Sequence, residues 1–152
     1  MSEVLAPCAG RVLPITECVD EVFGGQLVGP GLVIDPPDGG QTVVAPIAGT
    51  VMKIHPHAFV VVGEGAGVLV HLGINTVRLE GAGFEVHATR GSIVAAGDPM
   101  INGDPSALPS EAAGQAISRQ VPVVVLDVPA DSLDLSDLPG DVAPGDPLFA
   151  LP

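Results

Sequence analysis

Residues 55–77 read HPHAFVVVGEGAGVLVHLGINTV. Two apolar runs, HAFVVV and GVLVHL, flank a glycine-rich break at Gly63–Gly65. Runs of this length, rich in valine and bounded by glycine, predict an antiparallel β-hairpin rather than a helix. The chain has four histidines, and three of them, His55, His57 and His71, stand at the outer ends of these two runs. A turn centred on Glu64 would set His57 directly opposite His71 on one face of the hairpin. A register slip of one residue would send the two imidazoles to opposite faces. The period of two then adds His55, Phe59 and Val61 to the face of His57, and Leu69 and Gly73 to that of His71.

The surroundings of the pair suit an anion. Between Lys53 and Arg78 the only charged residue is Glu64, although the whole chain carries a formal charge of -13. A phosphoryl group could sit beside the histidines without strong local repulsion, and a docked partner would exclude water and strengthen its polar contacts. Neutral imidazole is a competent nucleophile near pH 7. Phosphoryl transfer asks mainly for in-line positioning and charge stabilisation. One histidine would accept the group and its neighbour would donate an N–H to a phosphoryl oxygen. Backbone amides at Gly73 and Ile74 are further candidate donors. A histidine at a strand end is more often a solvated structural residue, and His87, in FEVHATRG, keeps that plain reading.

The rest of the chain extends the β pattern. Its 152 residues suit one domain, 1–152, with its own core. Hydrophobic residues make up 47% of the chain, without Trp or Tyr, so valine, leucine and alanine must fill the interior. With 20 Gly and 16 Pro, short strands and tight turns are expected, with at most one or two short helices. Two echoes indicate duplication. VLAPCAGRVLPI (4–15) matches VVAPIAGTVMKI (43–54) in A-P-x-A-G-x-V, and IVAAGDPMI (93–101) matches DVAPGDPLF (141–149) in V-A-x-G-D-P. The one helical candidate is PSALPSEAAGQAISR (105–119), with Ser110 as its cap and Gly114 interrupting it. VPVVVLDV (121–128) reads as a buried strand, and the acidic DSLDLSDLPGD (131–141) as a surface connection.

Composition also excludes. Eighteen acids against five Lys and Arg argue against nucleic acid and against docking on an anionic membrane. The N-terminal MSEVLAPCAG has no secretory pattern, no run reaches the length of a membrane span, and Cys8 and Cys18 fit no CxxC motif. Reduced thiols and a cytosolic address are expected.

Taken together, the chain resembles the glucose-type IIA domain of the bacterial sugar phosphotransferase system. APIAGTV, HAF, VHLGINTV and LEGAGF follow one another in the family's order, and the resemblance runs from VLAPCAGRV to GDPLFAL. It implies a compact all-β fold, an antiparallel β-sandwich of the duplicated-hybrid type, related to biotinyl and lipoyl carriers. It implies a phosphotransferase component in which His71 takes phosphate from the phosphocarrier HPr and passes it to a IIB domain of a membrane sugar permease. His57 matches the supporting histidine. The implied partner surface comprises Phe23, Leu27, Val28, Phe59, Gly73, Asn75 and Val77. The same face can bind transporters and metabolic enzymes, a monomer is favoured, and the sugar is set by the membrane partner. This chain departs from the family at Asn75, where Asp is common, and at His55, where a small polar residue is common. It also starts almost at its first strand, so no membrane-binding tail is expected.

Three other readings compete. His55-Pro56-His57 gives H-x-H, and His71 could complete a zinc hydrolase site, although no carboxylate ligand follows. No cofactor is obligatory on the phosphotransfer reading, with zinc at His57 and His71 an adventitious or partner-bridged option. A biotinyl or lipoyl carrier would have to use Lys53, the only lysine, in the unusual context VMKIH. A purely regulatory binding module would take up no phosphate.

Overall fold

The computed structural model describes residues 3–135 and 138–151. Ser136 and Asp137 of the acidic segment, and the first two residues of the N-terminal stretch, lie outside the described residues. In chain order the strands are β1 (Glu3–Leu5), β2 (Gly10–Pro14), β3 (Gly31–Asp35), β4 (Gln41–Val44), β5 (Gly49–His55), β6 (Ala58–Val62) and β7 (Gly67–His71). They continue with β8 (Phe84–Val86), β9 (Ile93–Val94), β10 (Pro99–Gly103), β11 (Glu111–Ala112), β12 (Gln115–Ala116), β13 (Val121–Leu126), β14 (Asp141–Val142) and β15 (Pro147–Ala150). A single four-residue helix, α1 (Glu21–Gly24), and 3-10 turns at Ile15–Glu17, Thr76–Leu79 and Pro105–Ala107 complete the described elements. None of these helices is long and apolar enough to cross a membrane.

Eight strands form one antiparallel sheet in the order β14-β2-β3-β13-β7-β6-β5-β9, and β4-β10-β8 form a second sheet. The main core lies between them. Phe59 and Val61 of β6, Val68 and Val70 of β7, and Val123 and Val125 of β13 meet Val43 of β4 and Met100 and Ile101 of β10 there. Each such side chain contributes roughly 1.5–3 kcal/mol by leaving water. The central strand β13 contains Pro122, which a sheet interior normally rejects. It is tolerated because β7 pairs with β13 only from Val123 onward, so the missing N–H falls outside that ladder.

The echoes are structural. Ala6 and Ala45 donate their amides to Asp146 and Asp98 (2.7 and 2.9 Å), and their carbonyls accept from Gly145 and Gly97 (2.9 and 2.8 Å). Asp98 and Asp146 each close their own turn through Oδ2, to the amides of Ala95 and Ala143. Both repeats therefore place the same proline-flanked strand start against the same Asp turn, as a duplication requires.

Two sequence expectations fail here. The 105–119 segment is not a helix: after a 3-10 turn it forms the hairpin β11–β12, with Ala113 and Gly114 both at positive φ (49° and 81°). The short alanine run offers a helix little to pack against, whereas the hairpin gains partners on the loop after β7. The acidic 131–141 segment is also more than a surface connection, because Leu133 is buried and Leu135 and Leu138 pack on the main core.

Candidate functional site

The β6–β7 hairpin turns more tightly than expected. Glu64 and Gly65 alone form the loop, with Gly65 at φ +81°, a conformation glycine adopts without steric cost. Two loop residues instead of three shift the register, so His71 faces Ala58 and not His57. The expected direct cross-strand pair is thus absent, and Phe59 and Val61 point into the main core, away from the histidines. Phe59, 1% exposed, offers no partner surface.

The rings nevertheless meet. His55 pairs with Ala58 across the next hairpin, leaving Pro56 and His57 as its two-residue turn. His57 stands outside strand alternation, and its carbonyl accepts from the Leu72 amide (2.6 Å). From there its imidazole reaches that of His71, with ring centroids 5.2 Å apart and planes at 66°. Proline suits the first turn position because its φ is already set.

His71 is held from two sides. Its Nδ1 donates to the carbonyl of Gly73 at 2.5 Å, which leaves Nε2 with the free lone pair. Phe23 of α1 packs against the ring at 5.4 Å. Phe23 joins Ile15, Val33, Ile74 and Val124 in a small second cluster on the outer face of the main sheet, with Val28 and Leu69 packed against it. The loop that turns the Gly73 carbonyl inward is itself pinned. Thr76, fully buried, donates its hydroxyl to Leu72 (2.7 Å). Any Cβ at position 73 would come within 2.5 Å of Thr76 Cγ2 and 2.7 Å of the Ser118 carbonyl, so only glycine fits. Asn75 adopts φ 63°, which asparagine tolerates better than most residues, and its amide donates to the Ala116 carbonyl (2.8 Å). The expected Ile74 donor is unavailable, because that amide is bonded to Ser118 (2.9 Å).

Burial pushes the His57 imidazole down to about 4, with His71 and then His55 adding repulsion against a second positive charge. Burial likewise holds His71 below the ordinary histidine value, opposed by its bond to Gly73 and by the Asp20 carboxylate. Both rings are therefore neutral near pH 7. Asp20 went unnoticed in the sequence because it lies 51 positions before His71, in the acidic stretch ECVDEVF. It caps α1, accepting from the Val22 amide (2.8 Å), and the site is consequently less free of charge than the histidine strip alone suggests. The sole advance signal was an Asp just before a short apolar stretch, a helix-start pattern.

On the segments that flank the histidines, the chain on either side of Phe23 and the 3-10 turn after Gly73, Val19, Val22, Leu27 and Val77 are exposed at 64, 47, 78 and 53%. Leu27 and Val77 were expected there, while Val19 and Val22 were missed. Val28 and Phe23 lie beneath this surface rather than on it. His87 is remote, with Nε2 3.8 Å from Glu85 on β8. His55, His57 and His71 do not gather as ligands: among the described residues, no group of three or more His, Cys, Asp or Glu could hold a metal ion. The His55 and His57 rings instead lie nearly parallel, and the His71 Nδ1 is already engaged. The hydrolase reading loses its site. Cys8 and Cys18 are both free thiols, and burial pushes Cys8 up to about 12.

Comparison with known proteins agrees with this geometry. Residues 2–129 match the family model described as phosphoenolpyruvate-dependent sugar phosphotransferase system, EIIA 1. The chain is similar to the PTS system glucose-specific EIICBA component of Streptococcus pneumoniae serotype 4, 37% identical over 134 residues, covering 86% of this chain and 17% of that protein. The glucose-specific EIIA component of Bacillus cereus is 39% identical over 104 residues, 66% of this chain and 62% of that protein. The chain thus spans about a sixth of the first relative and somewhat under two thirds of the second. Among solved structures, glucose permease IIA from Mycoplasma capricolum superposes with a TM-score of 0.83 at 30% identity, covering 97% of this chain and 94% of that one. A curled antiparallel sheet, a paired-histidine turn and a match over most of the sequence lead to one assignment: the chain belongs to the EIIA 1 family of the phosphoenolpyruvate-dependent sugar phosphotransferase system.

Proposed function

We propose that this phosphotransferase component carries a phosphoryl group on His71 Nε2 and hands it on in support of sugar uptake. The observation that carries the reading is the bond from His71 Nδ1 to Gly73, which fixes the tautomer and leaves the Nε2 lone pair free on a ring that neighbours the His57 ring. The Nε2 lone pair attacks the phosphorus of a donor phosphohistidine. The new N–P bond forms as the old one breaks, and the donor imidazole leaves with the electron pair. His57 donates its N–H to a phosphoryl oxygen and shares the developing charge. Because both rings are neutral, neither transfer step requires a preceding deprotonation.

The donor on this reading is HPr and the acceptor a IIB domain. The multidomain relatives that join EIIA to B and C components in one polypeptide support the second of these. The docking surface is the apolar rim of Val19, Val22, Leu27 and Val77, with Gly73 and Asn75 at its floor. The chain acts as one domain, as its shared main core supports. The test is incubation with phosphoenolpyruvate, enzyme I and HPr, which should label the protein through an acid-labile, base-stable bond. Label that persists in His71→Ala would move the acceptor elsewhere.

A further inference from the structure

The row of residues crossing β5, β6 and β7 at the site is His55, Ala58, His71, each paired with the next. The outer two are imidazoles, and the middle one is a methyl group, 7% exposed. Adjacent strands lie about 4.8 Å apart, so roughly twice that separates the ends of the row. The His57 ring lies 5.2 Å from His71 and 5.8 Å from His55, which places it between them, over the gap that alanine leaves. It is nearly coplanar in orientation with His55 (19°) and steeply inclined to His71 (66°).

The two inner histidines are restrained very differently. His71 has a hydrogen bond to Gly73 and the Phe23 ring against it. Among the described residues, nothing hydrogen-bonds the His57 ring; its ring–ring neighbours are the His55 and His71 imidazoles. His57 is half-buried in a two-residue turn, and no hydrogen bond fixes the orientation of its ring toward His71.

Resting on the phosphoryl-carrier reading above, the geometry points to His55 as a positioning residue for the transfer. Its ring forms the outer wall of a stack that holds His57 turned toward the phosphoryl group on His71. The restraint comes from ring contact, so a flat apolar ring should serve nearly as well. His55 itself need not touch the phosphoryl group. Positioning effects of this kind alter the rate once partners are bound more than they alter binding.

The test compares native protein, His55→Ala and His55→Phe, each as the full chain, with HPr phosphorylated by enzyme I and phosphoenolpyruvate as donor. His55→Ala should lower the maximal transfer rate about tenfold with KM nearly unchanged, and His55→Phe should return it to within about twofold of native. His55 is exposed, so neither change endangers the fold. In unphosphorylated protein, the ring resonances of His57 should shift and broaden in His55→Ala and stay near native in His55→Phe. Native rates in His55→Ala, a loss confined to KM, equal impairment by Phe, or unmoved His57 resonances would each overturn the inference. The resonance measurement needs no phosphate donor, so it judges the stack even if labelling places the acceptor elsewhere.

Discussion

On one face of the β6–β7 hairpin stand Phe59, Val61, Val68 and Val70, none more than 1% exposed. On the other stand Ala58, Val60, Leu69 and His71, partly covered by the small cluster around Phe23. The same alternation makes both faces, yet they are packed for different ends. The inner face meets a whole second sheet in a core of apolar side chains. The outer face is roofed by a single helical turn and a loop, which leaves an edge where an imidazole can be half-buried and still reach a partner. Stability and chemistry are thus separated by the thickness of one strand. Changes to the two faces should give opposite symptoms.

The largest effect is expected from His71→Ala. Phosphoryl labelling should vanish, while thermal unfolding stays cooperative, because the ring contributes to the edge of the small cluster and not to the main core. Phe59→Ala should do the reverse. Truncating a fully buried Phe costs about 3–5 kcal/mol, read from the denaturant midpoint, yet the protein that remains folded at low temperature should still take label. A Phe59→Ala protein that is stable but unlabelled would break the separation.

Within the outer face, His57→Ala should slow transfer on the order of a hundredfold, measured by rapid quench, since one donor to the phosphoryl oxygens is lost. Asn75→Asp tests the floor of the site more gently. A carboxylate cannot donate to the Ala116 carbonyl, so the hairpin β11–β12 should loosen from the loop that holds His71. Losing one such bond costs about 0.5–1.5 kcal/mol, visible as faster amide exchange at Ile74 and Ser118, whose mutual bridge lies beside it. Exchange unchanged at both positions would show that the Asn75–Ala116 bond does not hold this loop.

How far the sequence reveals this arrangement depends on which interactions decide each part. The two hairpin strands are legible because alternation and glycine bounds act locally, and the echoes are legible because duplication repeats local turns. The register is not. Whether Gly63-Glu64-Gly65 loops over two or three residues depends on which glycine takes the positive φ, and strand pairing with β13 and β5 settles that from outside. By strand alternation alone, the two-residue register would keep His57 from facing His71. They meet because the second turn, His55-Pro56-His57-Ala58, releases His57 from alternation. Asp20 and the β11–β12 hairpin were hidden for a similar reason: each acquires its role through contacts distant in sequence. The acidic composition gave no clue to where one carboxylate would approach the histidines.

The smallest and most specific difference between the faces concerns protons. The hairpin's inner face carries only Phe and Val side chains, whereas burial holds the His57 imidazole down to about 4, below the ordinary histidine value. Well above pH 6.5 the ring is neutral in both folded and unfolded chains, and its contribution to stability is complete. As pH falls toward 4, the unfolded chain takes up a proton that the folded site refuses, so this contribution is lost through that window. Below it both forms are protonated and no further loss arises from this ring. His71, also lowered, acts in the same direction. The comparison between variants isolates this ring. Between pH 7 and 4.5, His57→Ala should lose less stability than native protein, while Phe59→Ala should run parallel to native throughout. Parallel curves for all three would mean that the His57 ring, in solution, is free enough to protonate as it does in the unfolded chain.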